Sequence, residues 1–140
     1  MVFDLVNFKY LNDTYGHTAG DRALAKFASK LLRTFRFVPR TMADGMFYSR
    51  DGLYIRQGGD EFAVVLMVPA DMNAEHFMQL IAKRIEKALY VHYDELGLDN
   101  HPRIDDSLDK RIDCRYGMAT SEPGMGIRHL IATADDRIIK

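Results

Sequence analysis

Gln57-Gly58-Gly59-Asp60-Glu61-Phe62 stands between two apolar runs, Leu53-Tyr54-Ile55-Arg56 before it and Phe62-Ala63-Val64-Val65-Leu66-Met67-Val68 after it. Both flanks are rich in β-branched and aromatic residues and read as strands, with Gly-Gly as a two-residue hairpin signal between them. The glycines supply positive φ without steric cost and leave the backbone bare toward a ligand. Aspartate and glutamate are poorly suited to strands, yet both sit where the second strand begins. Successive strand residues point to opposite faces, so Asp60 and Glu61 have different surroundings and different tasks. Spacing alone leaves two readings open: a tight turn with solubilising acids, or a tip that holds a metal ion and a phosphate.

Outward from this hairpin, the rest of the chain reads as alternating strands and helices. Met1 to Val6 is a short strand with an acid, Asp4, inside it, and Asn7 to Gly16 is a short helical or looped segment. Thr18 to Phe37 is the clearest helix, because Leu24, Phe27, Ala28, Leu31, Leu32 and Phe35 recur at helical spacing. Its other side carries Arg22, Lys26, Lys30 and Arg33, a solvated face. Pro39 to Asp51 reads as irregular. A second amphipathic helix is expected from about Asn73 to His92, burying Phe77, Ile81, Ile85, Ala88 and Leu89. Tyr93 to Lys110 reads as a long, mobile polar connection with six acids. Ile112 to Ala119 reads as a strand, and Ile127 to Lys140 as a helix running to the end. This order implies an α+β fold (an α/β sandwich), with a central, mostly antiparallel sheet flanked by helices that are expected on one face.

Composition narrows the function classes. A chain of 140 residues is one domain by length, able to bury roughly two-thirds of its unfolded surface. A net charge of −1 argues against a nucleic-acid polymer partner or a basic membrane-binding surface. The single cysteine, Cys114, has no internal disulfide partner and reads as a half-buried small hydrophobe in a reducing compartment. No apolar run approaches the roughly 20 residues of a membrane span and no signal peptide is visible, which reads as cytoplasmic.

Two further groups of residues carry chemistry. Asp4 lies in an apolar strand, where an unpaired carboxylate costs several kcal/mol, so it needs a partner or an exposed strand end. Asp4 and Asp60 on separate strands form a plausible pair for a divalent cation such as magnesium, which favours a few carboxylates plus substrate phosphates; capping of the following turn is the alternative. The second group is Lys9, Asn12, Asp13, Thr14, Tyr15, Gly16, His17 and Asp21. Asn and Asp can read the edge of a purine through paired donors and acceptors, and they are also common turn and cap residues.

Taken together, these stretches resemble the GGDEF domains, the bacterial diguanylate cyclases. The hairpin gives Gly58-Gly59-Asp60-Glu61-Phe62 letter for letter, preceded by Arg56. The first half gives Asp4-Leu5, Phe8-Lys9, Leu11-Asn12-Asp13-Thr14-Tyr15-Gly16-His17 and Ala19-Gly20-Asp21. Tyr116-Gly117-Met118-Ala119 is similar to the family's penultimate strand, and Ala134-Asp135 to the start of its final helix. The resemblance implies condensation of two GTP molecules into cyclic di-GMP with release of two pyrophosphates, each of two facing domains holding one GTP. It implies Mg2+ (or Mn2+) held by Asp4, the carbonyl of Leu5 and Asp60. Asp60 is also implied as proton acceptor, with Glu61 at a required catalytic position of unassigned role. Asn12 and Asp21 are implied as guanine readers, with His17 and Lys9 as further substrate contacts and Gly58 and Gly59 approached by the phosphates. A homodimer, and a fused sensory or receiver domain in a parent that could be membrane-tethered, follow from the same resemblance.

The chain departs from the family pattern in places. Val6 stands where a second Asp is usual, and Ser49 and Gly52 replace the Arg and Asp of the product-inhibition site. The segment 93–110 is longer than expected, and both ends read as truncated, the last before the basic residues that usually contact phosphate. A fragment inactive alone is one consequence. The rival readings are a non-catalytic GGDEF module that binds GTP or a protein partner, and another nucleotidyl cyclase or polymerase palm with a similar sheet.

Overall fold

The alternating apolar residues on both sides of the two glycines build the middle of a six-stranded sheet, seen here in a computed structural model that describes residues 1–35, 41–43, 46–49, 52–98 and 111–139. The strands are β1 (Val2–Leu5), β2 (Thr41–Ala43), β3 (Met46–Ser49), β4 (Gly52–Gly58), β5 (Glu61–Leu66), β6 (Val91–His92), β7 (Arg111–Ile112) and β8 (Cys114–Gly117). The helices are α1 (Phe8–Tyr15), α2 (His17–Thr34), α3 (Ala74–Ala88) and α4 (Ile127–Asp135), with a 3-10 turn at Tyr93–Leu96. The sheet runs β2-β3-β4-β5-β1-β8, and β6 with β7 makes a separate ladder. All of these pairings are antiparallel. The fold is α+β, as the pattern of strands and helices predicts.

The two-residue period of the strands sorts side chains onto two faces. Phe3, Leu5, Phe62, Val64 and Tyr54 point to the side covered by α2 and α3, joining Leu24, Phe27, Leu31, Ile81 and Ile85 in the main core. Phe27 of α2 and Phe62 of β5 are both fully buried, with ring centroids 5.1 Å apart; removing either ring would cost about 3–5 kcal/mol. Val2 and Ala63 point the other way and pack with Ala134 and Ile138. The helices therefore lie on both faces, not on one: α4 covers the side opposite α2 and α3. Close approach is possible there because Gly117 has no side chain, as a Cβ would strike the carbonyl oxygen of Ala134.

Several boundaries differ from the sequence expectation for local reasons. The stretch read as irregular contains β2 and β3; its remaining residues lie outside the described ones. Asn73 caps α3, its Oδ1 accepting from the backbone N–H of Glu75 at 2.9 Å, and the helix stops at Ala88 so that Val91 and His92 can pair with Ile112 and Arg111. The single strand expected at 112–119 is divided at Asp113, whose carbonyl takes the N–H of Val6 at 2.9 Å. The helix α4 ends at Asp135, and Ile138 donates its N–H to Asp135, folding its side chain back into the second core. Tyr93, Leu96 and Leu98 are buried, so the start of the long connection is anchored. Lys30 reinforces it, donating to the carbonyl of Tyr90 at 2.8 Å and to Glu95 at 2.7 Å. The expectation of mobility for 99–110 falls outside the described residues.

Candidate functional site

The site forms where β1 and the β4–β5 hairpin end together. A register shift between Arg56 and Gly58 marks a bulge, and Gly58 then pairs with Glu61. The turn is therefore Gly59-Asp60, one residue later than a Gly-Gly turn, and β5 starts at Glu61. Gly58 and Gly59 have φ of 142° and 51°, conformations that side chains rarely adopt. Among the described residues, no atom beyond the adjoining ones in the chain lies within 4 Å of where a Cβ would sit on either, which leaves room beside the backbone. Arg56 spans the turn, its Nη2 donating to the carbonyl of Gly59 at 2.9 Å.

The register decides which acids meet. Asp4 of β1 is the cross-strand partner of Glu61 on one side and of Arg115 of β8 on the other. Cross-strand partners share a face and have Cβ atoms about 4.5–5.5 Å apart. Counting by twos from Val2, Ala63 and Gly117 puts all three residues on the face that α4 covers lower down. Asp60, paired with Asp4 in the sequence reading, is instead half-buried in the turn. Asp4 and Glu61, with the main-chain carbonyl of Leu5 one residue on, offer hard oxygen donors. That set fits Mg2+ or Mn2+, which take waters and substrate phosphates as remaining ligands. Among the described residues no three of His, Cys, Asp and Glu gather into a fuller cage.

The junction after β1 adds a feature that the motif reading passed over. Asn7 has φ 59° and ψ 22°, a left-handed conformation that Asn tolerates better than most residues. It turns the chain straight from β1 into α1, and no side chain caps α1. The first N–H groups of α1 thus have no side-chain cap, an arrangement suited to phosphate. Asparagine at a strand-to-helix junction is the signal that could have found it. Lys9 is exposed in the first turn of α1.

The tight α1–α2 corner at Gly16, whose φ is 88°, brings Asn12 of α1 against Gly20 of α2, the residue before Asp21. Oδ1 of Asn12 is buried with no hydrogen-bond partner among the described residues. It packs where Gly20 has no Cβ, and any Cβ there would collide with it. A buried, unsatisfied amide oxygen costs about 1–3 kcal/mol, a cost that a ligand's donor would offset. Next to Gly20, Asp21 lines a groove of about 330 Å3 with Leu24, Tyr54, Arg56 and Phe62. Burial pushes the Tyr54 phenol up to about 12, opposed by the charge of Arg56, so the groove floor stays neutral. His17 is exposed at the first position of α2.

The profile of the family described as "Diguanylate cyclase, GGDEF domain" matches residues 1–140. The biofilm architecture maintenance protein MbaA of Vibrio cholerae is 38% identical over 141 residues, covering 96% of this chain and 15% of that protein. Diguanylate cyclase DgcS of Shewanella oneidensis is 29% identical over 137 residues, covering 96% of this chain and 36% of its own length. Diguanylate cyclase DgcN of Escherichia coli is 34% identical over 88 residues, 63% of this chain and 18% of that protein. This chain thus spans a minor part of each relative. The GGDEF domain of DgcB from Caulobacter crescentus, solved with c-di-GMP, superposes with a TM-score of 0.55 at 24% identity, covering 96% of this chain and 66% of that one. A sensory box/GGDEF family protein from the same organism gives 0.57 at 24% identity, covering 98% and 72%. These two likenesses establish the fold. Among the described residues no helix is long and apolar enough to cross a membrane.

Proposed function

The chain belongs to the family of GGDEF domains, and on that footing we propose that it condenses two molecules of GTP into cyclic di-GMP, releasing two pyrophosphates. The observation that carries this reading is the Asp4–Glu61 pair beside the turn of a hairpin whose two glycines leave open space. In the proposed reaction each 3′-hydroxyl forms a bond to the α-phosphorus of the nucleotide on a facing second copy. The bond from that phosphorus to the β-phosphate bridging oxygen breaks, and the hydroxyl proton passes to Asp60.

The proposed roles of the residues are these. Asn12 and Asp21 read the guanine edge, and His17 adds a contact at the start of α2. Lys9 and the uncapped N–H groups of α1 approach the phosphates. Gly58 and Gly59 leave the phosphates room against the main chain. Asp4, Glu61 and the carbonyl of Leu5 are the proposed donors to Mg2+ or Mn2+, with Asp60 close by in the turn. The bound ion would supply positive charge to the phosphate oxygens and lower the pKa of the attacking hydroxyl. Positioning and charge neutralisation dominate such transfers, so the order of these groups along the strand ends is the essential requirement.

The same proposal extends to context: a cytoplasmic output module, active as a homodimer and fused to a sensory or receiver domain. The small share of each relative that this chain spans supports the fusion. The test is to incubate the domain, alone and within its longer parent, with GTP and magnesium and to separate the nucleotides by chromatography. Cyclic di-GMP and pyrophosphate are expected. GTP bound but not converted in either form would overturn the enzyme reading in favour of a nucleotide-binding module.

A further inference from the structure

Asp4 has a cation on the side away from Glu61. Arg115 of β8 is its direct cross-strand partner, two residues before Gly117, whose alternation puts it on the α4 face with Asp4 and Glu61. Arg115 is exposed and makes no hydrogen bond or ion pair with any described residue. Arg111, four residues earlier, is by contrast held by Asp113 at 3.1 Å and lies over the ring of Tyr90. We propose that Arg115 is a substrate-binding residue that engages the distal phosphates of the nucleoside triphosphate. The proposal rests on reading the site as a GTP site.

The strand order gives the direction. The groove beside Asp21 is floored by Tyr54 of β4 and Phe62 of β5, so the base lies toward those strands. Asp4 is on β1, the next strand, and Arg115 is on β8, the one beyond. The groove opens on the α2 face and Asp4, Glu61 and Arg115 face α4, so a nucleotide that reaches both bends over the strand ends; with neighbouring strands about 4.8 Å apart, it passes from β4 and β5 to the carboxylate pair and then to Arg115. Two facing carboxylates and a polyphosphate carry more negative charge than one divalent ion and Lys9 neutralise. A guanidinium meets that need better than any neutral group, because its planar fork binds phosphate oxygens two at a time. The long side chain also reaches past Asp4 to a ligand seated above it.

A simpler role would be to offset the repulsion between Asp4 and Glu61 within the ladder, which would affect every nucleotide alike. The two are separated by titrating the wild-type chain, Arg115→Gln and Arg115→Lys calorimetrically, with magnesium, against α,β-methylene GTP and against GMP. Arg115→Gln is expected to bind the triphosphate analogue about tenfold more weakly and GMP unchanged within about twofold, with Arg115→Lys in between. An equal loss for both ligands, or no loss for either, overturns the proposal. Thermal unfolding without nucleotide reports whether the variants fold, and Arg115→Lys keeps the test decisive if Arg115→Gln does not. A wild type that binds the triphosphate analogue but is indifferent to Arg115→Gln sinks this inference alone. A wild type that binds neither nucleotide sinks the GTP reading and this inference with it.

Discussion

Asp4 and Glu61 face each other across the β1–β5 ladder, two carboxylates in direct register where the strands end. Like charges placed opposite one another destabilise a sheet, by a few tenths of a kcal/mol at a solvated strand end. Such a pair is a reason to expect an ion between them.

Glu61→Gln is therefore expected to raise the melting temperature slightly in the presence of a chelator, since the repulsion is relieved. The same variant should lose the upward shift that magnesium gives the wild type, and turnover should fall by about a hundredfold or more. Differential scanning fluorimetry with and without magnesium checks both signs. A variant that melts lower in chelator and keeps the magnesium shift would show that the pair does not hold the ion.

Gly20→Ala addresses the proposed base site. Alanine is the better helix former by about 1 kcal/mol, but its methyl group would occupy the place of Asn12 Oδ1. The amide at the end of a short side chain can be pushed aside, so the protein is expected to fold with its stability changed by less than about 1 kcal/mol. Affinity for guanine nucleotides is expected to drop about tenfold, matching Asn12→Ala, by fluorescence titration. Unaltered affinity in Gly20→Ala would remove Asn12 from the pocket.

Gly117→Ala differs because the obstacle is backbone. The added methyl would meet the carbonyl oxygen of Ala134 and the N–H of Ile138, and neither can rotate away. Separation of α4 from β8 is expected to cost about 2–3 kcal/mol, read from urea unfolding. A loss below about half a kcal/mol would mean that α4 is not seated as described.

Alkaline pH should unfold the domain through buried acids. Burial pushes the Cys114 thiol from 9.0 up to about 12, helped by the negative charge of Asp113, and pushes Tyr54 from 10.0 to about 12. The folded state holds these protons more tightly than the unfolded chain does. Their contribution to stability is whole below pH 9 and is lost as the pH rises from 9 toward 12. Urea midpoints at pH 7, 9 and 10.5 should fall, and Cys114→Ala should flatten the decline between 9 and 10.5. Equal slopes in the two proteins would contradict the buried thiol.

Much of the fold was legible because local patterns repeat. The stripe from Leu24 to Phe35 marked α2, and the β-branched runs around the glycines marked β4 and β5. What escaped was short or conditional on distant partners. Thr41–Ala43 and Met46–Ser49 have too few residues for a period to show, and Val91–His92 is a strand only because Arg111–Ile112 lies beside it. The candidate site residues Asp4, Asn12, Gly58, Gly59 and Asp21 could be named from motif letters. Asn7 and Arg115 could not, since one acts through its backbone angle and the other through a strand that is far away in sequence.

The sequence by itself determined the class of fold, the hairpin and the residue types of the site, because propensity, period and motif are local properties. Only the tertiary structure decided that Glu61 and not Asp60 faces Asp4, that Arg115 stands on its other side, and that α4 covers the face opposite α2. These are matters of register. In a strand, one residue of slip sends every side chain to the other face. The bulge after Arg56 places such a slip beside the glycines, so it is the pairing of β1 with β5 and β8 that sets which charges meet.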